Sequence, residues 1–173
     1  MLQPSAIVVP FFSTLAELGE FAGVDEGDMP EDYRALLAHD DHMTVTVEAF
    51  HSCLVDVRVL REHRDGDVYG RTSLLTCQTT GKVVQFGVMR IDLSQLSPTV
   101  RDEIVAGGTP LGRVLIRHNV LRHVELQQLW RVTPSPLLLD QLELPAGAPL
   151  FGRSARIVVE GRPAVELLEI PRA

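Results

Sequence analysis

The segment 68–93 constrains the fold of this chain more than any other stretch. Branched and aromatic residues flank Thr79-Thr80-Gly81, and glycine readily accepts the positive φ that a tight turn needs. The pattern predicts two antiparallel strands joined at this turn. Asp65-Gly66, just upstream, is a second hairpin signal, so we expect the segment 43–61 to form a third strand paired with the first.

Arg71 lies in the first strand of this hairpin, and we expect that strand to be central in the sheet. A guanidinium among apolar residues must reach the sheet edge or find a buried acceptor, because an unpaired buried charge is very costly. We expect the acceptor to be a ligand carboxylate, since the planar guanidinium binds one through two parallel hydrogen bonds. The alternative, which composition alone favours, is a side chain that extends into water.

The composition excludes several classes of protein. With 173 residues, 45% hydrophobic and 23% charged, the chain fits one globular domain spanning 1–173. A net charge of −7 and the absence of a Lys/Arg cluster longer than a pair argue against a nucleic-acid partner. The sequence has no recognisable signal peptide and no apolar stretch long enough to span a bilayer. We therefore expect a cytoplasmic protein with no membrane partner.

The cysteines and histidines offer little for metal or redox chemistry. Cys53 and Cys77 cannot form a disulfide framework or a zinc site, so two buried thiols are expected. In the run His39-Asp40-Asp41-His42, neighbouring side chains at a helix end point apart, which favours a surface turn over a metal site. His118 and His123 lack an obvious third ligand and are expected to be structural. The sequence thus predicts no metal and no cofactor.

The N-terminal part of the chain, 1–40, is predicted to be helical. A capping box at Thr14-Leu-Ala-Glu17 precedes apolar residues at helical intervals, which predicts a short helix from Thr14. Pro30 should open a second helix that ends near His39. From residue 43 to 49 apolar and polar residues alternate, which is the pattern of a strand.

The remainder, 43–173, is predicted to be a sheet with helical flaps. Ser97-Pro98 and Gly107-Gly108 frame one helix, and Thr109-Pro110 starts another. A further strand should carry Val124 and Trp130 on one face. A single helical turn is expected at 137–142, and a closing hairpin at 150–159 and 164–170. The predicted class is α+β, with helices packed on a single antiparallel sheet.

Four motifs, in order, resemble those of chorismate lyase (chorismate pyruvate-lyase, 4-hydroxybenzoate synthase) and its broader relatives. Together they cover the chain from about Leu36 to its end. They are Met43-Thr44 after the second helix; Arg71 in a strand that leads through Gly81 into the next; Thr109-Pro110-Leu111-Gly112 at a helix start; and Gly152-Arg153-Ser154-Ala155-Arg156, followed by Gly161-Arg162-Pro163 and Glu169.

The resemblance implies a fold, a reaction and a site. It implies an antiparallel sheet with an enclosed pocket beneath two helix-bearing flaps, and a lyase that removes pyruvate from chorismate to leave 4-hydroxybenzoate without a cofactor. Arg71 and Glu169 would be the catalytic residues, with Glu166, on the opposite strand face, as the alternative carboxyl. The implied substrate-binding residues are Met43, Arg71, Leu111 and Gly112.

Several alternatives remain open at this point. Arg153 and Arg156 alternate with apolar residues on a strand, so one of them could be a second carboxylate contact, or both could be surface charges. The same fold serves as the ligand-binding half of some transcription regulators, which makes a non-catalytic binder or sensor of aromatic acids the second reading. Those regulators carry a helix-turn-helix ahead of this domain, and the short acidic N-terminal segment is not expected to contain one. A third reading keeps the lyase mechanism with another substrate or product isomer. In every reading the partner is a small molecule, chorismate or a related aromatic acid.

Overall fold

The architecture is a single antiparallel sheet with helices on it, in a computed structural model that describes residues 3–173. Residues 1–2 of the predicted domain lie outside the described part. Within it the strands are β1 (Gly19–Val24), β2 (Val55–Asp65), β3 (Val68–Cys77), β4 (Val83–Asp92), β5 (Arg122–Pro134), β6 (Leu150–Val159) and β7 (Arg162–Pro171). Their order across the sheet is β1-β5-β6-β7-β4-β3-β2. Every neighbouring pair is antiparallel, so the predicted α+β class is confirmed.

The helices lie between the strands in the order that the sequence predicts from residue 98 onward. In the described residues they are α1 (Pro4–Val8), α2 (Glu31–Leu37), α3 (Met43–His51), α4 (Pro98–Ala106), α5 (Leu111–Arg117) and α6 (Pro136–Leu142). The predicted boundaries of α4 are confirmed, with Ser97 as its N-cap and Gly107 ending it at φ 73°. None of the helices in residues 3–173 is long and apolar enough to cross a membrane.

The hairpin predictions are confirmed because local turn chemistry determines them. β2 and β3 are joined at Gly66, with φ 58°, and β3 and β4 turn at Gly81, with φ 70°. The closing hairpin pairs β6 with β7 in the predicted register region. Arg71 therefore lies on an interior strand, although β3 is second from the edge of the sheet and not at its centre.

The predicted helix from Thr14 is wrong. The capping box between Thr14 and Glu17 is present, but it closes only a short 3₁₀ helix at Leu15–Glu17. Gly19 follows with φ 139°, and a Cβ atom there would collide with the carbonyl oxygen of Thr133. The chain then continues as β1, which pairs with β5 at the edge of the sheet. Strand pairing thus satisfies backbone groups that a longer helix would have satisfied internally.

The predicted strand at 43–49 is also wrong, because this segment belongs to helix α3. Met43, Thr44 and Val47 are buried, a helical spacing, whereas Val45 is exposed. β-branched residues disfavour a helix only weakly, and packing of one face onto the core outweighs that preference. The strand that was expected to begin at residue 43 is β2, and it begins at Val55.

A β-bulge in β5 corrects the expectation that Val124 and Trp130 share one face. The register shifts between Leu126 and Gln128, which inserts one extra residue into the strand. A one-residue shift moves every following side chain to the other face. Val124 accordingly packs with the core cluster under α4 and α5, and Trp130 with the cluster that contains residues of α1, α2, α3 and α6.

The cysteines correct a further expectation. Cys53 and Cys77 are joined in a disulfide, 24 residues apart in sequence, instead of remaining two thiols. The bond connects the segment after α3 to the end of β3. The two cysteines are close in space but 24 residues apart in sequence, and this spacing matches no motif that would have predicted the bond.

Candidate functional site

A cavity lies between the sheet and the first turns of α3 and α5. Strands β3, β4, β6 and β7 supply its floor. The cavity has a volume of about 60 Å³, on a measure by which a single water needs roughly 10–15 Å³. All the site residues predicted from the sequence line this one cavity: Met43, Arg71, Leu111, Gly112 and Glu169.

Arg71 is the cavity's least compensated charge. Its side chain is 2% exposed, and burial lowers the pKa of its guanidinium. The groups that accept its hydrogen bonds are neutral: the carbonyl oxygens of Ile104 at 3.1 Å and Thr109 at 3.5 Å. The ion pairs among residues 3–173 do not include Arg71.

The carboxylate that interacts electrostatically with Arg71 belongs to Glu62, its cross-strand neighbour on β2. Glu62 is exposed and accepts a hydrogen bond from the hydroxyl of Tyr69 at 2.5 Å. Burial, together with this bond to Glu62, raises the pKa of Tyr69 to about 12, so Tyr69 stays neutral beside the guanidinium. The buried positive charge of Arg71 therefore faces the cavity without a direct counter-ion.

Arg153, in contrast, is fully engaged. It is 0% exposed, and its Nε donates to Oε2 of Glu169 at 2.7 Å. Its two terminal nitrogens donate to the carbonyl oxygens of His39 at 2.8 Å and Asp41 at 3.0 Å. Arg153 is therefore not a surface charge: it neutralises Glu169 and holds the chain between α2 and α3.

The two histidines of the 39–42 run turn inward, while Asp40 and Asp41 are exposed, so the surface-turn prediction is right only for the aspartates. His39 Nε2 lies 2.7 Å from the carbonyl oxygen of Leu36, which assigns its proton to that nitrogen. Burial and the neighbouring Arg153 lower the pKa of His39. His118 and His123 lie beside acidic side chains, Glu103 and Glu125 respectively.

His42 lines the cavity directly, at the N-cap of α3. Its Nε2 accepts a hydrogen bond from Nε of Arg122 at 2.8 Å, which requires an unprotonated nitrogen. Burial and, secondarily, Arg122 and Arg153 lower its pKa from 6.5 to about 4. His42 is therefore neutral at pH 7. The described residues contain no group of three or more His, Cys, Asp or Glu arranged to hold a metal ion.

The two helix starts meet at the cavity because a glycine lets them approach closely. A Cβ atom at Gly112 would lie 3.1 Å from Oγ1 of Thr44 and 3.2 Å from Cβ of His42. α3 begins at Met43 and α5 at Leu111. The first N–H groups of a helix have no intrahelical acceptor, so backbone donors are present at this wall of the cavity.

Other residues of the cavity were not predicted, among them Ser73, Gln85 and Gly87 on its floor. The available signal was Gln85 itself, a polar residue inside the apolar run Val83-Val84-Gln85-Phe86. The fallback carboxyl, Glu166, lies outside this cavity, and its Oε2 is 3.7 Å from Nη1 of Arg90. Glu166 and Glu169 occupy opposite faces of β7, as expected for residues three apart on a strand.

Comparisons with known proteins identify the fold and no closer relationship. No protein-family model matches the chain, and no curated protein matches it in sequence. Among solved structures, the effector domain of PhnF from Mycobacterium smegmatis aligns with a TM-score of 0.56 and 12% identity, over 77% of this chain and 89% of that domain. Whole PhnF aligns with a TM-score of 0.55 and 12% identity, over 76% of this chain but only 64% of PhnF.

A second protein gives the same picture. The ligand-binding domain of a Bordetella bronchiseptica protein assigned to the GntR family of transcriptional regulators aligns with a TM-score of 0.53 and 16% identity, over 69% of this chain and 86% of that domain. The chain therefore has the fold of these effector domains, a fold related to that of chorismate lyase.

Proposed function

We propose that this chain is a small-molecule-binding domain whose ligand is an aromatic carboxylic acid held by Arg71. The observation that carries the proposal is the buried guanidinium of Arg71, which lines the cavity without an ion-pair partner among residues 3–173. A ligand carboxylate would supply the missing charge.

The energetics favour such a ligand. A buried charge without a counter-ion is costly, and carbonyl oxygens such as those of Ile104 and Thr109 offer dipoles but no net charge. An incoming carboxylate would form charge-assisted, bidentate bonds with the guanidinium. A bound carboxylate would therefore lower the electrostatic cost of burying the charge of Arg71.

The balance of charge in the cavity indicates a ligand with one carboxylate. Arg153 and Glu169 neutralise each other, and His42 is neutral, which leaves the single positive charge of Arg71. Backbone donors at the start of α3, near Met43, can bind the second face of the same carboxylate. The apolar side chains of Met89, Leu111 and Leu167 would contact a ring.

The solved structures of the same fold support a binding role. Two of them are described as a ligand-binding domain and an effector domain of regulators, and both align with this chain over most of their length. We therefore favour a binding or sensor domain over an enzyme as the first reading.

The test is isothermal titration of benzoate and 4-hydroxybenzoate into wild-type protein and Arg71 variants. Arg71→Met keeps much of the side-chain volume but removes the charge, and should weaken binding of both acids at least 100-fold, the loss of a buried charge-assisted pair. Arg71→Lys should also be weak, because it cannot form the bidentate contact.

The matched control is Arg58→Met, on the exposed edge strand β2 and outside the cavity. It removes the same charge from the protein and should leave both affinities unchanged. If Arg71→Met binds the acids as tightly as Arg58→Met does, Arg71 is not the carboxylate contact and the proposal fails.

A chorismate lyase is the second candidate, because Glu169 lies in the same cavity as Arg71, Met43 and Leu111. The reaction would take the proton from the ring carbon that bears the hydroxyl, break the adjacent ring C–O bond to the enolpyruvyl group, and protonate the methylene of the released enolpyruvate, giving 4-hydroxybenzoate and pyruvate. Glu169 is the carboxyl within reach of a bound ring. Glu169 accepts a hydrogen bond from Arg153, which fits a general base better than an acid.

The lyase is tested by incubating the protein with chorismate and measuring pyruvate with a coupled dehydrogenase. If the chain is a lyase, Glu169→Gln should lower turnover by roughly 10²–10⁴, the usual contribution of a general acid or base. Glu166→Gln, outside the cavity, is the control and should retain full turnover. Binding of 4-hydroxybenzoate by wild-type protein that never releases pyruvate would leave the binding domain as the function.

A further inference from the structure

Gln85 is the most unusual polar residue of the cavity. Its side chain is 6% exposed, and its Oε1 atom has no hydrogen-bond partner in the described part of the chain. A buried amide oxygen without a partner is rare, because it loses its bonds to water and gains none in return. Such a group in a cavity wall indicates that a ligand provides the partner.

Gly87 lies beside the amide of Gln85 on the cavity floor. A Cβ atom at Gly87 would lie 3.7 Å from Nε2 of Gln85 and 4.0 Å from Oγ of Ser73, so both polar groups border the same open patch of floor. Gly87 also pairs with Glu169 on β7 and with Ser73 on β3. The side chains of Gln85, Ser73 and Glu169, which can all form hydrogen bonds, therefore surround Gly87, where β4 has no side chain.

Gln85 lies at the opposite end of the cavity floor from Arg71, along β4. Arg71 is directly across from Met89 on β4, and Gln85 precedes Met89 by four residues on the same strand face. At about 3.3 Å per residue, these two positions are roughly 13 Å apart along the sheet. The row of Ser73, Gly87 and Glu169 lies midway between these two positions, and the apolar side chains of Met89 and Leu167 lie in the row of Arg71.

We infer that Gln85, with Ser73, forms a second binding subsite that selects acids carrying a hydroxyl group opposite the carboxylate. This inference rests on the proposed carboxylate site at Arg71 and adds the chemistry of the ligand's far end. A hydroxyl can donate its proton to the unpaired Oε1 of Gln85 and, through its oxygen, accept a hydrogen bond from the hydroxyl of Ser73. A second carboxylate there would face Glu169, and like charges repel.

The expected selectivity follows from the cost of the unpaired amide. A ring without the hydroxyl would cover Gln85 and still leave it unsatisfied, whereas a hydroxylated ring would pair with it. Sites built to bond a polar group discriminate strongly against ligands that lack it. We expect wild-type protein to bind 4-hydroxybenzoate about tenfold or more tightly than benzoate.

The experiment compares benzoate, 4-hydroxybenzoate and 2-hydroxybenzoate by isothermal titration. The last acid has its hydroxyl beside the carboxylate, where it cannot reach Gln85, and should bind no better than benzoate. Gln85→Leu, similar in volume but apolar, should abolish the preference for 4-hydroxybenzoate and keep the affinity for benzoate. Gln85→Asn retains the amide but shortens its reach, and should lose most of the preference too.

Gln141→Leu on α6 is the matched control, since it makes the same change outside the cavity and should retain the full preference. An equal preference in wild-type and Gln85→Leu protein, or none in wild-type protein that binds both acids, would overturn this inference and leave the Arg71 site intact. If wild-type protein binds none of the three acids, the proposed function is wrong and this inference falls with it.

Discussion

At the scale of single residues, two buried arginines in one cavity have opposite surroundings. Arg153 has an ionic partner in Glu169 and donates to two backbone carbonyls, so its charge contributes to the fold. Arg71 donates to two carbonyl oxygens and interacts with the hydroxyl of Tyr69, all of them neutral groups. Because the cost of a buried charge depends on its counter-ion, we assign a structural role to Arg153 and propose Arg71 as the ligand contact.

Glu169→Gln should therefore destabilise the protein whatever its effect on function. The change leaves the guanidinium of Arg153, which is 0% exposed, without a counter-ion, and breaking a buried pair costs about 3–5 kcal/mol. Urea denaturation measures the loss. Glu166→Gln breaks an exposed 3.7 Å contact with Arg90 and should cost less than about 1 kcal/mol. Equal losses in the two variants would contradict the structural role of the Arg153–Glu169 pair.

His42 should make the stability of the fold depend on pH. Its pKa is about 4 in the folded protein and near 6.5 when exposed, so the unfolded chain takes up a proton first as the pH falls. The contribution of neutral His42 to the free energy of unfolding is fully present above about pH 6.5 and is lost as the pH approaches 4.

The measurement is denaturant unfolding of wild-type protein and His42→Gln between pH 4 and pH 7. The variant cannot titrate at this position, so its stability should fall less steeply over that range. His63→Gln, on the exposed part of β2, is the control and should follow the wild-type slope. Parallel curves for wild-type and His42→Gln protein would show that His42 is not held neutral by the fold.

At the scale of elements, the disulfide between Cys53 and Cys77 ties the end of α3 to the end of β3. α3 also supplies Met43 to the cavity, so its attachment matters for the site. Closing a loop of 24 residues restricts the unfolded chain and stabilises the fold by about 3 kcal/mol in the chain-entropy model.

Reduction should consequently lower the stability of wild-type protein by roughly that amount, about 3 kcal/mol. Thermal or urea unfolding with and without dithiothreitol measures the difference. The double variant Cys53→Ala/Cys77→Ala should match reduced wild-type protein and show no response to the reductant. A double variant as stable as oxidised wild-type protein would contradict a stabilising bond.

At the scale of the whole molecule, ligand binding should stabilise the fold as a unit. Arg71 on β3, Glu169 on β7 and Met43 on α3 surround one cavity, so a bound acid contacts both the sheet and a helical flap. A ligand at 100 times its Kd adds about 2.7 kcal/mol to the free energy of unfolding. For a chain of 173 residues, that corresponds to a rise in Tm of roughly 5–10 °C.

Differential scanning fluorimetry with 4-hydroxybenzoate in that excess measures the shift. Arg71→Met protein, which lacks the carboxylate contact, should melt at the same temperature with and without the acid. An unchanged Tm for wild-type protein under conditions where titration shows saturation would mean that folded and unfolded chains bind the acid alike, contrary to a site built by tertiary structure.

The sequence by itself determined the features that depend on neighbouring residues. Glycines at 66 and 81 predict the hairpins, because a positive φ is needed there. Ser97-Pro98 and Gly107 predict α4 from its caps. The resemblance to chorismate lyase implied a common site for Arg71 and Glu169, and both residues line one cavity. The hairpin and helix predictions each use an interaction within a few residues of chain.

The tertiary structure alone decided the features that depend on distant contacts. The alternating residues of α3 form a helix because one face packs on the core, and β1 forms because an edge of β5 accepts it. No spacing in the sequence predicts the ion pair between Arg153 and Glu169 or the bond between Cys53 and Cys77. The same is true of the unpaired amide oxygen of Gln85. Local preferences for helix or strand are at most about 1 kcal/mol per residue, and packing and long-range pairing outweigh them. The sequence alone therefore could not predict these features.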